Sequence, residues 1–106
     1  MESSPQKTVV SSDIEALVGQ AWSQHYHGQN EDAIRAFRQI VEKYPEHIDA
    51  NYGLALSLKA VGKTQEAKEI FQKTKTLAQA SAATEVEDNS RFIMIVRMID
   101  QQLARL

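Results

Sequence analysis

Cysteine is absent from all 106 residues, which excludes disulfide scaffolds, thiol nucleophiles and thiolate metal sites together. Long apolar runs are also missing. No stretch approaches the ~18 residues needed to cross a bilayer, and the opening MESSPQKTVVSS has neither the charged start nor the apolar core of ~7–15 residues of a signal peptide. Positive charge is not in excess: the formal net charge is −2 and Lys and Arg are scattered, which leaves no electrostatic footprint for nucleic acid. The four glycines are dispersed and form no phosphate-cradling loop. His25, His27 and His47 are the only histidines, and His25-x-His27 on a helix sets two rings roughly 200° apart, the wrong arrangement for shared metal ligation. The expectation is a cytoplasmic protein that is not an enzyme, holds no metal or cofactor, and binds neither nucleic acid nor membrane. A chain of this length suits one folding unit.

What is present is helical periodicity. Residues 1 to 11 carry Ser, Thr, Pro and Lys without a period, predicting a loosely ordered lead-in. Ser12 and Glu15 form a capping box, and Ile14, Leu17, Val18 and Ala21 then recur at helical spacing, predicting a first helix from about Asp13 to His27. Gly28 is placed to end it in a left-handed conformation. Asn30 is the expected cap of a second helix bearing Ala33, Ile34, Phe37, Ile40 and Val41, which Tyr44-Pro45 closes. A third starts near Glu46 to Ile48 and runs through Leu54, Ala55 and Leu58 to Gly62. Thr64 is the expected cap of a fourth, with Ala67, Ile70, Phe71 and Leu77. In QASAATEVEDNS, residues 79 to 90, the fourth helix continues through the alanines and a new one starts at Asp88, Asn89 or Ser90, or else Thr84 and Glu87 make an earlier capping box. The tail, about 88 to 106, is a fifth helix. No long alternation of period two occurs, so the fold class is all-α.

Offset by 34 residues, GQNEDAIRAF (28 to 37) lies over GKTQEAKEIF (62 to 71). The same register pairs Ile14 with Ile48, Ala16 with Ala50, Gly19 with Gly53, Ala21 with Ala55 and Ser23 with Ser57. Matches spread over a whole unit at one period signal a repeat architecture, in which each hairpin buries its apolar face only by stacking on a neighbour. The period, Ala21/Ala55, the turn pair Gly28/Gly62, Ala33/Ala67, Phe37/Phe71 and the junction Pro45 resemble the tetratricopeptide repeat. The resemblance covers about residues 13 to 79. It implies a right-handed stack of two helix-turn-helix hairpins, at about 14–47 and 48–79, with the fifth helix completing one domain over 12–106. There are departures: Gln20 and Gln24 stand where the family usually has large apolar residues, which gives the first repeat a wetter outer face, and Gln79 replaces the second junction proline.

The resemblance also implies a function, a non-catalytic scaffold that binds a peptide or protein segment on the concave face formed by the first helix of each repeat. Carried into this sequence, that face presents Val18, Trp22, His25, Tyr26, Tyr52, Leu56 and Lys59, together with Glu15, Gly19, Asp49, Gly53 and Ala60. Aromatic anchors such as Trp22, Tyr26 and Tyr52 are favoured at binding hot spots, although packing into the helix interface explains Trp22 equally well. The family's grip on acidic peptide C-termini uses Lys and Asn, where this chain has Val18, Trp22 and Gly53, so that activity is not expected. Two repeats fall short of the three or so that stack stably. The apolar stripe Phe92, Ile95, Val96, Ile99, Leu103 and Leu106 is suited to cover the second repeat. Ile93, Met94 and Met98 lie off the stripe. They raise the alternative that the tail helix makes a homodimer and no separate peptide ligand exists; a regulatory subunit of an enzyme complex is a remote third reading.

Overall fold

The computed structural model describes residues 11–85 and 88–106. Five α-helices follow one another: α1 (Ser11–Tyr26), α2 (Asn30–Lys43), α3 (Ile48–Ala60), α4 (Thr64–Thr84) and α5 (Ser90–Ala104). No strand occurs among the described residues. Each helix packs on the next in the order α1, α2, α3, α4, α5, and α1 also touches α3. The chain is therefore two helical hairpins stacked side by side, with α5 laid on the second.

Both hairpins turn in the same way. Gly28 and Gly62 have φ of 77° and 83°, the left-handed region where a Cβ is costly. The Gln29 amide donates to the Gln24 carbonyl and the Lys63 amide to the Leu58 carbonyl, at 2.8 and 2.9 Å, closing the preceding helix by the six-to-one bond of a Schellman motif. The next helix starts at once, with Gln29 and Lys63 as N-caps that make no side-chain capping bond. Asn30 and Thr64, expected to be caps, are instead the first helical residues. The expected Ser12 cap also lies inside its helix, since α1 starts at Ser11; of the predicted lead-in, residues 1–10 lie outside the described residues. His47, which was not singled out as a cap, accepts the Ala50 amide on Nδ1 at 3.1 Å and starts α3.

The repeat register places the core. Ala21, Ala33, Phe37, Ala55, Ala67 and Phe71 have no exposed surface. Asn51, also fully buried, donates from Nδ2 to the carbonyls of Pro45 and His47 at 3.1 and 2.7 Å, fastening the junction between hairpins to α3. Gln79 leaves the helical hydrogen-bond ladder intact where proline would break it, and the alanines that follow favour helix. As a result α4 runs on to Thr84, whose hydroxyl donates to the Ser81 carbonyl. Thr84 thus ends α4 instead of capping a new helix, and Glu87 lies outside the described residues. α5 starts at Ser90: Asp88 Oδ1 accepts from the Ser90 amide and hydroxyl, while Asn89 Nδ2 donates to the Ala82 carbonyl.

The matched glycines Gly19 and Gly53 differ in their surroundings. A Cβ built on Gly53 would lie 2.5 and 2.7 Å from Cε1 and Cε2 of the buried Phe37 ring, whereas one on Gly19 meets nothing within 4 Å. Gly53 is where α2 presses on α3, and Gly19 has open space beside it. Gly53→Ala should therefore overpack the core and cost about 1–3 kcal/mol, while Gly19→Ala, in an open helix interior, should add about 0.4–1 kcal/mol. Thermal melts of the two variants should shift in opposite directions.

Arg38 of α2 and Glu66 of α4 are paired at 2.8 Å. The Arg38 hydrogen bond holds the Glu66 carboxyl below its ordinary value despite some opposing desolvation. A folded-state value below the unfolded one contributes stability at neutral pH that is lost as pH falls through the folded value. Both side chains are more than one-third exposed, so solvent screens the pair. Glu66→Gln should cost only about 0.2–1 kcal/mol at neutral pH, and the difference in urea unfolding should shrink as the pH is lowered.

Candidate partner-binding groove

α1, α3 and α5 enclose two adjoining concavities of about 350 and 470 Å3 that share Trp22, Ile48, Asp49 and Ile95. Tyr26, Tyr52 and Met98 complete one, and Glu15, Val18, Gly19, His47 and Arg91 complete the other. Together they form one groove, with the two repeats as floor and α5 as a wall.

Trp22 lies at its centre. Its ring stands edge-on to Phe37, with centroids 5.3 Å apart, and stacks on Tyr26 at 5.7 Å. Tyr52 is 6.3 Å away, and the indole Nε1 donates to Asp49 Oδ2 at 3.2 Å across the boundary between repeats. Trp22 is thus both an interface residue and part of the groove lining, which accounts for the ambiguity in its sequence. Tyr52 is half-buried and packs edge-on to Phe71 at 5.9 Å. Burial pushes its phenol above the ordinary value, with a hydrogen bond to Gln102 of α5 opposing. The hydroxyl therefore stays neutral at physiological pH and is available for hydrogen bonding.

The remaining predicted face residues are distributed differently. Tyr26 is 75% exposed beside the groove. Val18, at 5% exposure, belongs mostly to the core and reaches the groove only with the little surface it keeps. Gly53 is removed from the face by Phe37. His25 turns inward, its Nδ1 lying 3.1 Å from Asn30 Oδ1 and 3.3 Å from Ser57 Oγ, and thereby links α1 to α2 and α3. Leu56 packs half-buried against the core. Lys59 donates to Gln102 Oε1 at 2.5 Å and ties α3 to α5.

The face predicted from the first helices lacked the contribution of α5. Of the apolar stripe, Ile99 is fully buried and Ile95, Leu103 and Leu106 pack against the core, while Phe92 and Val96 are half-buried. Ile95 also lines the groove together with Met98, which had been grouped with Ile93 and Met94 as an oligomer contact. Ile93 and Met94 are 42% and 62% exposed. The i, i+3 spacing of Ile95 and Met98 was the available signal, since it puts both on one helix face. Among the described residues, no group of three His, Asp or Glu is arranged to hold a metal ion.

Removing the half-buried Trp22 ring should cost about 2–3 kcal/mol, somewhat below the ~3–5 of a fully buried one. Trp22→Phe keeps a smaller aromatic ring but loses the bond to Asp49, and should cost about 0.5–1.5 kcal/mol. Urea unfolding of Trp22→Ala and Trp22→Phe, followed by far-UV circular dichroism, should rank them in that order.

The tetratricopeptide repeat family model matches residues 25–84, more than half of the 106-residue chain. The match takes in α2, α3 and α4 and leaves most of α1 and all of α5 outside it. No curated protein and no solved structure matches the chain. Repeats of this family form non-catalytic scaffolds for protein–protein interaction. With its 34-residue register, its two glycine turns and this match, the chain belongs to the tetratricopeptide repeat family.

Proposed function

We propose that the protein is a cytoplasmic interaction module that receives a short segment of a partner protein in the groove between α1, α3 and α5. One observation carries this reading: Trp22 and Tyr26 from the first repeat, Tyr52 from the second, and Ile95 and Met98 from α5 meet around a single open concavity. Large apolar side chains around a concave surface, with hydrogen-bonding groups such as Asp49 and the Tyr52 hydroxyl at its edge, are the arrangement in which a few anchors supply most of the binding energy. The absence of cysteine suits a reducing compartment.

A second reading rests on a different surface. Ile93 and Met94 remain exposed on α5, and a second copy of the chain would cover them in a homodimer. Two large side chains fall short of the ~800 Å2 that each partner of a stable complex usually buries. Segment binding is therefore the primary function and self-association the alternative.

Met98 and Met94 separate the two. Met98→Glu sets a charge in the groove and should weaken the binding of a groove-directed peptide by about tenfold or more, read from the fluorescence of Trp22, the single tryptophan. Met94→Glu should leave that titration unchanged. Sedimentation should report a monomer for both variants and for the parent; a parent dimer that Met94→Glu dissociates would establish self-association instead.

A further inference from the structure

The groove is not uniformly apolar, and its charges constrain the occupant. Glu15 of α1 and Asp49 of α3 are both exposed in the larger concavity and flank Trp22 there. Asp49 accepts the Trp22 indole N–H, and neither carboxylate belongs to an ion pair in the described residues, whose pairs are Arg35–Asp32, Arg38–Glu66 and Lys75–Asp100. Three basic side chains at the groove or on its walls are engaged otherwise. Arg91 lines the same concavity but holds its guanidinium over the Phe92 ring, 5.0 Å from the centroid. Lys59 donates to Gln102. His47 uses Nδ1 to accept the Ala50 amide.

The geometry points to a cationic segment as the occupant of the groove: a stretch of partner chain in which a Lys or Arg, held between Glu15 and Asp49 against the Trp22 ring, adjoins a large apolar side chain seated by Tyr52, Ile95 and Met98. The inference rests on the groove being a segment-binding site and adds the chemistry of what enters it. A cation near aromatic rings is attracted to their faces, and a nearby carboxylate strengthens the attraction where water is partly excluded. The same pair of carboxylates repels an acidic segment, so charge here selects between partners more than it adds to the affinity of any one of them. Arg91 offsets part of this field from the α5 wall, so its removal favours the cation further.

The test uses the full chain and three blocked peptides that share one Phe and one Leu and differ only in a flanking pair, Lys, Gln or Glu, titrated by Trp22 fluorescence at low salt. The Lys peptide should bind about tenfold tighter than the Gln peptide, and the Glu peptide weaker than both. Added salt should narrow the spread. Glu15→Gln alone, and with Asp49→Asn, should draw the three affinities together while the Gln peptide keeps its own; Asn retains an oxygen to accept the indole N–H, and helicity checks the fold. Arg91→Ala should tighten the Lys peptide a few-fold. Equal affinities for all three peptides overturn the cationic preference and leave the segment-binding reading standing. Tightest binding by the Glu peptide also overturns it and identifies Arg91 as the ligand-reading charge. No fluorescence change with any of the three rejects both readings.

Discussion

The approach of the Phe37 ring to Gly53 is the constraint on which the rest of the structure depends. A ring can reach the backbone of α3 only where no Cβ intervenes, and that contact fixes how closely the first hairpin stacks on the second. The same ring presents its face to the edge of Trp22 or its edge to that face, at an interplanar angle of 79°, so the close approach in the core also positions the central residue of the groove. Phe71 makes a similar contact with Tyr52. Each repeat thus uses the phenylalanine of its second helix to support an aromatic residue of its first, although Trp22 and Tyr52 are not equivalent in the 34-residue register.

What could be read from the sequence follows from this. The fold class, the two hairpins, the left-handed turns at Gly28 and Gly62 and the matched alanines were legible because they recur, and a requirement imposed twice at one spacing stands out from chance. The helix caps were not legible in the same way. Asn30 and Thr64 have the right side chains at the right places, but the Schellman closure at each turn brings the chain into the next helix one residue early, leaving Asn30 to bond His25. Burial was not legible either: helical register says which side of α1 Val18 occupies, but not that only 5% of its surface stays exposed.

The groove was half legible. Its aromatic floor comes from the repeats, whose register carries over from the family pattern. Its third wall comes from α5, which lies outside both the internal repeat and the family match. The position of α5 depends on contacts that have no counterpart in the repeat: Asn89 on the Ala82 carbonyl, the Lys75–Asp100 pair at 2.7 Å, and Lys59 on Gln102. These are single polar contacts, two of them between residues far apart in sequence, and no periodicity announces them.

The placement of α5 bears on residues 91–99, RFIMIVRMI, which are apolar around most of the helix circumference. A helix that capped the stack and did nothing else would need one stripe. On α5, Ile99 is fully buried in the core, Ile95 and Met98 wall the groove, and Ile93 and Met94 are left open to solvent. Only the buried face is required for stability, because two hairpins leave one end of the stack uncovered. The groove face costs nothing extra in folding, as Ile95 serves in both roles. α5 thus both packs on the core and borders the proposed binding groove, and substitutions on different sides of α5 separate these roles.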